Sequence, residues 1–162
     1  MPAQTRATPT TLDYFHAQST EEAVRTLLTC LHSTRWAHRL AAHRPYPDLA
    51  TLLAAADEAS YDLTPEDLTE ALRAEALPAL PEDTYSAAHT ALRAAHAAYE
   101  SRFGHVFVIC LDQVPAAEAL DHVLSEIRSR LTNDPEEERV VAADELRRLA
   151  SGRLSRLRGA GL

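Results

Sequence analysis

The chain has 162 residues and a mass of 17.8 kDa, the size of one domain when roughly 150 residues is the working unit. With 46% hydrophobic residues, 25% charged residues and four glycines, it can bury a core, which excludes global disorder, collagen and coiled-coil arrays. A net charge of −8 makes it a poor ligand for nucleic acid. No apolar run reaches the roughly 18 residues that cross a bilayer, and the start, Met1 to Phe15, has no apolar signal core. A cytoplasmic protein with no nucleic-acid or membrane partner is therefore expected.

Every basic residue is arginine. The lack of lysine removes imine chemistry and any lysine nucleophile. The last twenty residues hold Arg147, Arg148, Arg153, Arg156 and Arg158 against Asp144 and Glu145. This basic end reads either as a helix terminus complementing its own dipole or as an anion site. Cys30 and Cys110 lie far apart and outside any CxxC spacing, so both are expected to be reduced core thiols.

In chain order, residues 1–11 lack periodicity and read as a mobile tail ahead of a domain over 12–158. Ser19 with Glu22 forms a capping box for a helix near 20–31. Ser33 caps a second, with Trp36, Ala37 and Leu40 inward, stopped at Arg44-Pro45-Tyr46-Pro47. Asp48 caps a third. Thr64-Pro65-Glu66-Asp67 opens a fourth that runs to about Leu77, where Pro78 and Pro81 impose a connection. A long helix from about Tyr85 to Arg102 presents Ala88, Ala91, Leu92, Ala95 and Tyr99 to the core. Pro115 starts another, and Asn133-Asp134-Pro135-Glu136 begins the last.

One stretch differs. Gly104 to Cys110 is β-branched and aromatic, with no second segment of its kind to pair with. As an extended segment it leaves backbone groups that need partners, and a ligand is one way to supply them; a helix rich in Val and Ile is the alternative. The fold class is all-α, a single-domain bundle of about seven helices with one extended segment near 104–110.

The generic motifs for phosphate, dinucleotide, HExxH zinc and GxSxG chemistry are absent. Of the eight histidines, His89 and His96 share a helix face, but Arg93 between them argues against a cation. A solvated polar face is expected there, and no metal site is assigned. His32, His38 and His43 flank the Trp36 region without ligand-like spacing. The acids from Asp57 to Glu70 read as a solvated face.

Four patches carry a resemblance: Cys30-Leu31-His32-Ser33-Thr34-Arg35-Trp36-Ala37; Arg44-Pro45-Tyr46; Tyr99 through Phe103-Gly104 to Ile109; and Arg130-Leu131-Thr132-Asn133-Asp134 before Glu138. Together, in this order, they resemble the OHCU decarboxylase family, named for 2-oxo-4-hydroxy-4-carboxy-5-ureidoimidazoline, which decarboxylates to (S)-allantoin in urate breakdown. The resemblance implies an all-helical, usually dimeric enzyme acting on a small anionic substrate without metal or organic cofactor. It also implies that His105, Val106, Phe107, Val108 and Ile109 occupy the place of the family's pocket backbone, and that Arg153 matches its carboxylate-binding arginine.

The chain departs from the family where that resemblance would put the catalytic groups. The family's His-Pro-Arg-Ile-Gly stretch is replaced by Arg73-Ala74-Glu75-Ala76-Leu77, which puts Glu75 at the histidine position. No Ser-x-x-Glu-Gln helix fits between Glu75 and Tyr99. Loss of carbon dioxide needs a stabilised anion and then a proton. Glu75 and His105 are the candidate catalytic groups; His89 is a further proton source. Val106 to Ile109 and Arg153 are the candidate substrate contacts. The expected function is a cofactor-independent decarboxylase of OHCU or a related ureido acid. A relative that kept the fold as a binding or assembly protein, and a decarboxylase retuned to another small anion, are the alternatives.

Overall fold

The computed structural model describes residues 9–80 and 86–157. Those residues form eight α-helices and no strand: α1 (Thr11–Ala17), α2 (Thr20–Leu28), α3 (Thr34–Ala42), α4 (Leu49–Ser60), α5 (Pro65–Ala74), α6 (Ser86–Phe103), α7 (Ala119–Arg130) and α8 (Pro135–Ser155), with a 3-10 turn at Ala116–Glu118 leading into α7. The all-α expectation holds. The tail expected over 1–11 lies outside the described residues up to position 8, and α1 already starts at Thr11, where Thr10 and Asp13 close a capping box.

Local chemistry sets the helix starts. Ser19, Ser33, Asp48, Thr64 and Asp134 each accept the backbone N–H three residues on, satisfying a donor that a helix N-terminus would otherwise leave open. α5 ends at Ala74, three residues before the expected stop. Glu75 turns extended, at φ −79° and ψ 141°, and Pro78 disfavours helical geometry at Leu77.

The helices enclose two cores. The first lies among α2, α3, α4, α5 and α8 around Leu27, Trp36, Leu40, Leu52, Leu146 and Leu154; the second lies between α6 and α7 around Leu92, Tyr99, Val123 and Ile127. Between them runs the segment from Val106 to Leu111, which is extended as one of the two sequence readings required. Val106 and Val108 face the first core, while Phe107 and Ile109 face the second. This is the two-residue alternation of a strand, used here to wall one core from the other.

Among the described residues, 105–110 make no backbone–backbone hydrogen bond. Side chains hold the segment instead. The Val108 carbonyl accepts from Arg130 Nη1 at 2.7 Å, and Cys110 N–H donates to Glu145 Oε2 at 3.0 Å. Arg130 is fixed by Glu138 (Nε to Oε1, 2.7 Å), whose carboxylate also accepts from Tyr99 O–H at 2.5 Å and Asn133 Nδ2 at 3.0 Å. Burial, together with the O–H bond to Glu138, pushes the Tyr99 phenol far above its ordinary range.

The long helix α6 corrects an expectation. Its inner stripe is Leu92, His96, Tyr99, with Ala91 exposed, so His96 lies in the core and not on a solvated face. The 3.6-residue period carries it there, and its ring meets Phe107 at 5.9 Å between centroids.

Candidate functional site

α5 delivers Glu75 at its C-terminal end, and the last turns of α8 deliver Arg153. The two meet as a fork on a carboxylate: Nη1 donates to Oε1 at 2.7 Å and Nη2 to Oε2 at 2.9 Å. Nη1 also donates to the Cys30 carbonyl at 3.1 Å, tying the α2–α3 turn to the same guanidinium. The Glu75 side chain is 9% exposed and that of Arg153 32%. The bond from Glu75 holds the Arg153 guanidinium above its ordinary value, against the opposing effect of burial.

A cavity of about 270 Å³ opens on one side of this pair, walled by Ala76 to Ala79, Val108, Ile109, Leu111, Asp112 and Leu149 as well as Glu75 and Arg153. A second, of about 370 Å³, lies between Leu28, Thr29, His32, Ala74 and Ala76, again with Glu75 and Arg153. The ion pair thus borders both cavities. Asp112 at the rim of the first chamber is held by Arg156 at 2.9 Å. It packs so closely on α8 that a Cβ at Gly152 would collide with its carboxylate.

Four of the residues singled out from sequence therefore come together: Glu75, Val108, Ile109 and Arg153. Three do not line either chamber. Phe107 is fully buried in the second core, and Val106 packs against the first. His105 bonds its Nδ1 to the Val106 carbonyl at 2.9 Å and packs edge-on to Tyr99 and against Phe103. The chamber meets the segment only towards its C-terminal end, at Val108, Ile109 and Leu111. His32 and Asp112 were not singled out. His32 lies within the Cys30–Ala37 patch, whereas nothing local marks Asp112.

Arg158 lies outside the described residues, and the other arginines of the basic end are neither bare dipole partners nor an open anion patch. Arg147 pairs with Asp57 and Asp144, Arg148 with Asp144 and Glu145, Arg153 with Glu75, and Arg156 with Asp112. Acids that read as a solvated middle or an isolated substitution meet these arginines across the fold. Burial raises both the Cys30 and Cys110 thiols, which keeps them protonated and poor nucleophiles. No His, Cys, Asp and Glu group among the described residues is arranged to hold a metal ion.

Comparison with known proteins gives a consistent result. The crystal structure of an OHCU decarboxylase in the presence of (S)-allantoin superposes with a TM-score of 0.70 at 21% identity, covering 85% of this chain and 96% of that one. The crystal structure of an (S)-allantoin synthase gives 0.71 at 20% identity, covering 91% of this chain and 53% of that one. The chain thus spans about half the length of the synthase. At these identities the likeness shows a shared fold. No curated protein sequence matches. The protein-family model for OHCU decarboxylase matches residues 16–84 and 79–155. With nearly the whole helical body matched in sequence and superposed in space, the chain belongs to the OHCU decarboxylase family, a family of carboxy-lyases.

Proposed function

We propose that the chain is a cofactor-independent decarboxylase of OHCU or a closely related ureido acid. The observation that carries the reading is the position of the Arg153 fork at the border of two chambers, beside the Val108–Ile109 backbone. A planar guanidinium is suited to grip a planar carboxylate through two parallel N–H bonds. In the free protein Glu75 occupies that fork, so a substrate carboxylate has to take its place.

The chemistry asked of the protein is limited. The bond from the ring carbon to the carboxylate breaks, carbon dioxide leaves, and the electron pair stays on the carbon and its conjugated neighbours until a proton arrives there. Fixed donors that need not reorganise stabilise that charge. Mixing the purified protein with freshly generated OHCU and following chiral allantoin by circular dichroism tests the reading. A rate above spontaneous decay is expected, and a rate equal to it sinks the proposal. The same reading places the protein in the cytoplasm as a homodimer, which sedimentation velocity checks for the assembly.

One observation favours a second reading. A carboxylate already seated on the fork is also what a fixed structural bridge looks like, as in a relative that kept the fold and serves as a binding or assembly protein. In that case Glu75→Gln lowers the melting temperature and creates no affinity for small carboxylates.

A further inference from the structure

Decarboxylation ends with a proton delivered to carbon, and none of the groups expected from sequence is placed to deliver it; His89, on α6, lines neither chamber. In the free protein both oxygens of Glu75 accept bonds from Arg153, so that carboxylate is not presented to the substrate as a donor until it has been displaced. His105 lines neither chamber, and its Nδ1 is engaged with the Val106 carbonyl. We propose that His32 is the proton donor, an inference that rests on the decarboxylase reading above.

His32 shares the 370 Å³ chamber with Arg153 and Glu75. It also lines an outer cleft formed by Pro65, Glu66, Thr69 and Arg73 of α5. His32, an exposed residue, therefore borders both the chamber of the guanidinium that would hold the substrate and a surface in contact with water. The turn that carries it is pinned at three points. The Cys30 carbonyl accepts from Arg153 at 3.1 Å, Ser33 N–H donates to the Leu31 carbonyl at 2.8 Å, and Thr34 donates through its N–H and hydroxyl to Glu70 at 3.1 and 2.6 Å. Such anchoring fixes the backbone that carries the exposed His32 side chain at the mouth of the chamber before the substrate arrives.

The proton balance closes. The imidazolium N–H passes its proton to the ring carbon as the carbon–carboxylate electron pair is released there. Neutral imidazole then takes a proton from water in the outer cleft. Histidine suits this cycle because its ring nitrogens can both donate and accept a proton. The charged groups around it are Glu66, Glu70, Arg73, Glu75 and Arg153.

The test compares wild type, His32→Gln and His38→Gln for turnover of fresh OHCU across the titration range of histidine. His38 is exposed on α3 and serves as the control. Expected are a loss of about a hundredfold in kcat for His32→Gln, a pH profile for that variant that differs from the wild type, an unchanged melting temperature, and a wild-type profile for His38→Gln. Wild-type turnover that survives His32→Gln with its pH profile intact overturns the role of His32 and leaves the decarboxylase reading standing. No wild-type turnover above spontaneous decay overturns both.

Discussion

Arg130 and Glu138 meet with 3% and 0% of their side chains exposed, and neither could stay charged there alone. Tyr99, Asn133 and the Val108 carbonyl complete the set, and Arg130 also lies 4.3 Å from the Phe107 ring centroid. Arg130→Ala leaves the Glu138 carboxylate buried without its cation and is expected to cost about 3 to 5 kcal/mol. Tyr99→Phe removes one bond to that carboxylate and should cost roughly 1.5 to 3 kcal/mol; urea titration followed by far-UV circular dichroism gives both values. At the fork, the partner of Arg153 competes with any incoming ligand. If that contact is worth on the order of 1 kcal/mol, Glu75→Gln should tighten binding of hydantoate, a small unreactive ureido acid, by about fivefold, as read by calorimetry.

These side chains show what the sequence could reveal. The patches that signal the family are largely scaffold: Ser33 caps α3, Trp36 Nε1 donates to the Ala56 carbonyl at 3.1 Å, Arg44 donates to the Phe15 and Gln18 carbonyls at 2.8 and 2.9 Å, and Arg130 with Glu138 holds the extended segment. Fold is legible from them because each acts on its surroundings in a way fixed by residue type. Glu75 and Arg153 were each visible, but their union was not, since they are 78 positions apart and no local rule couples them. His96 is illegible for a related reason: its polar character points to solvent while its position on the stripe of Leu92 and Tyr99 buries it.

Among the elements, α6 and α8 depend on glycine in opposite ways. Gly104 follows α6 at φ +79° with nothing within 4 Å of where a Cβ would sit. Gly104→Ala therefore meets no clash, only the left-handed backbone, and should cost about 1 to 2 kcal/mol. Thermal melting reads this directly. Gly152 lies inside α8, where alanine gains about 1 kcal/mol in helix propensity. Its methyl would push Asp112 off the helix and weaken the Asp112–Arg156 pair, an exposed contact worth only about 0.2 to 1 kcal/mol. Helix propensity should win or break even, so Gly152→Ala is expected to melt no lower than wild type. A fall of several degrees would mean that the rim of the chamber contributes more to stability than an exposed bridge does.

At the scale of the molecule, the second core contains an ionisable group. His96 is 6% exposed with its Nδ1 unpartnered, and burial lowers its pKa below the ordinary 6.5, with Glu100 opposing that shift. Because the folded value is the lower one, the unfolded chain takes up this proton first as pH falls. The contribution to stability is complete above about pH 6.5 and is lost progressively below it, until the folded value is reached. Urea titrations at a series of pH values should show this slope for wild type and a flatter one for His96→Leu.

The segment between the cores tolerates exchange of side chains better than change of length. Since Val106 and Val108 look one way and Phe107 and Ile109 the other, removing a single residue after Gly104 would put every later side chain out of phase. Aromatic bulk would be driven into a space shaped for valine, and the carbonyl grasped by Arg130 would swing away from it. The spacing between the end of α6 and the Val108 carbonyl therefore behaves like a gear tooth count, which slips by whole steps or not at all.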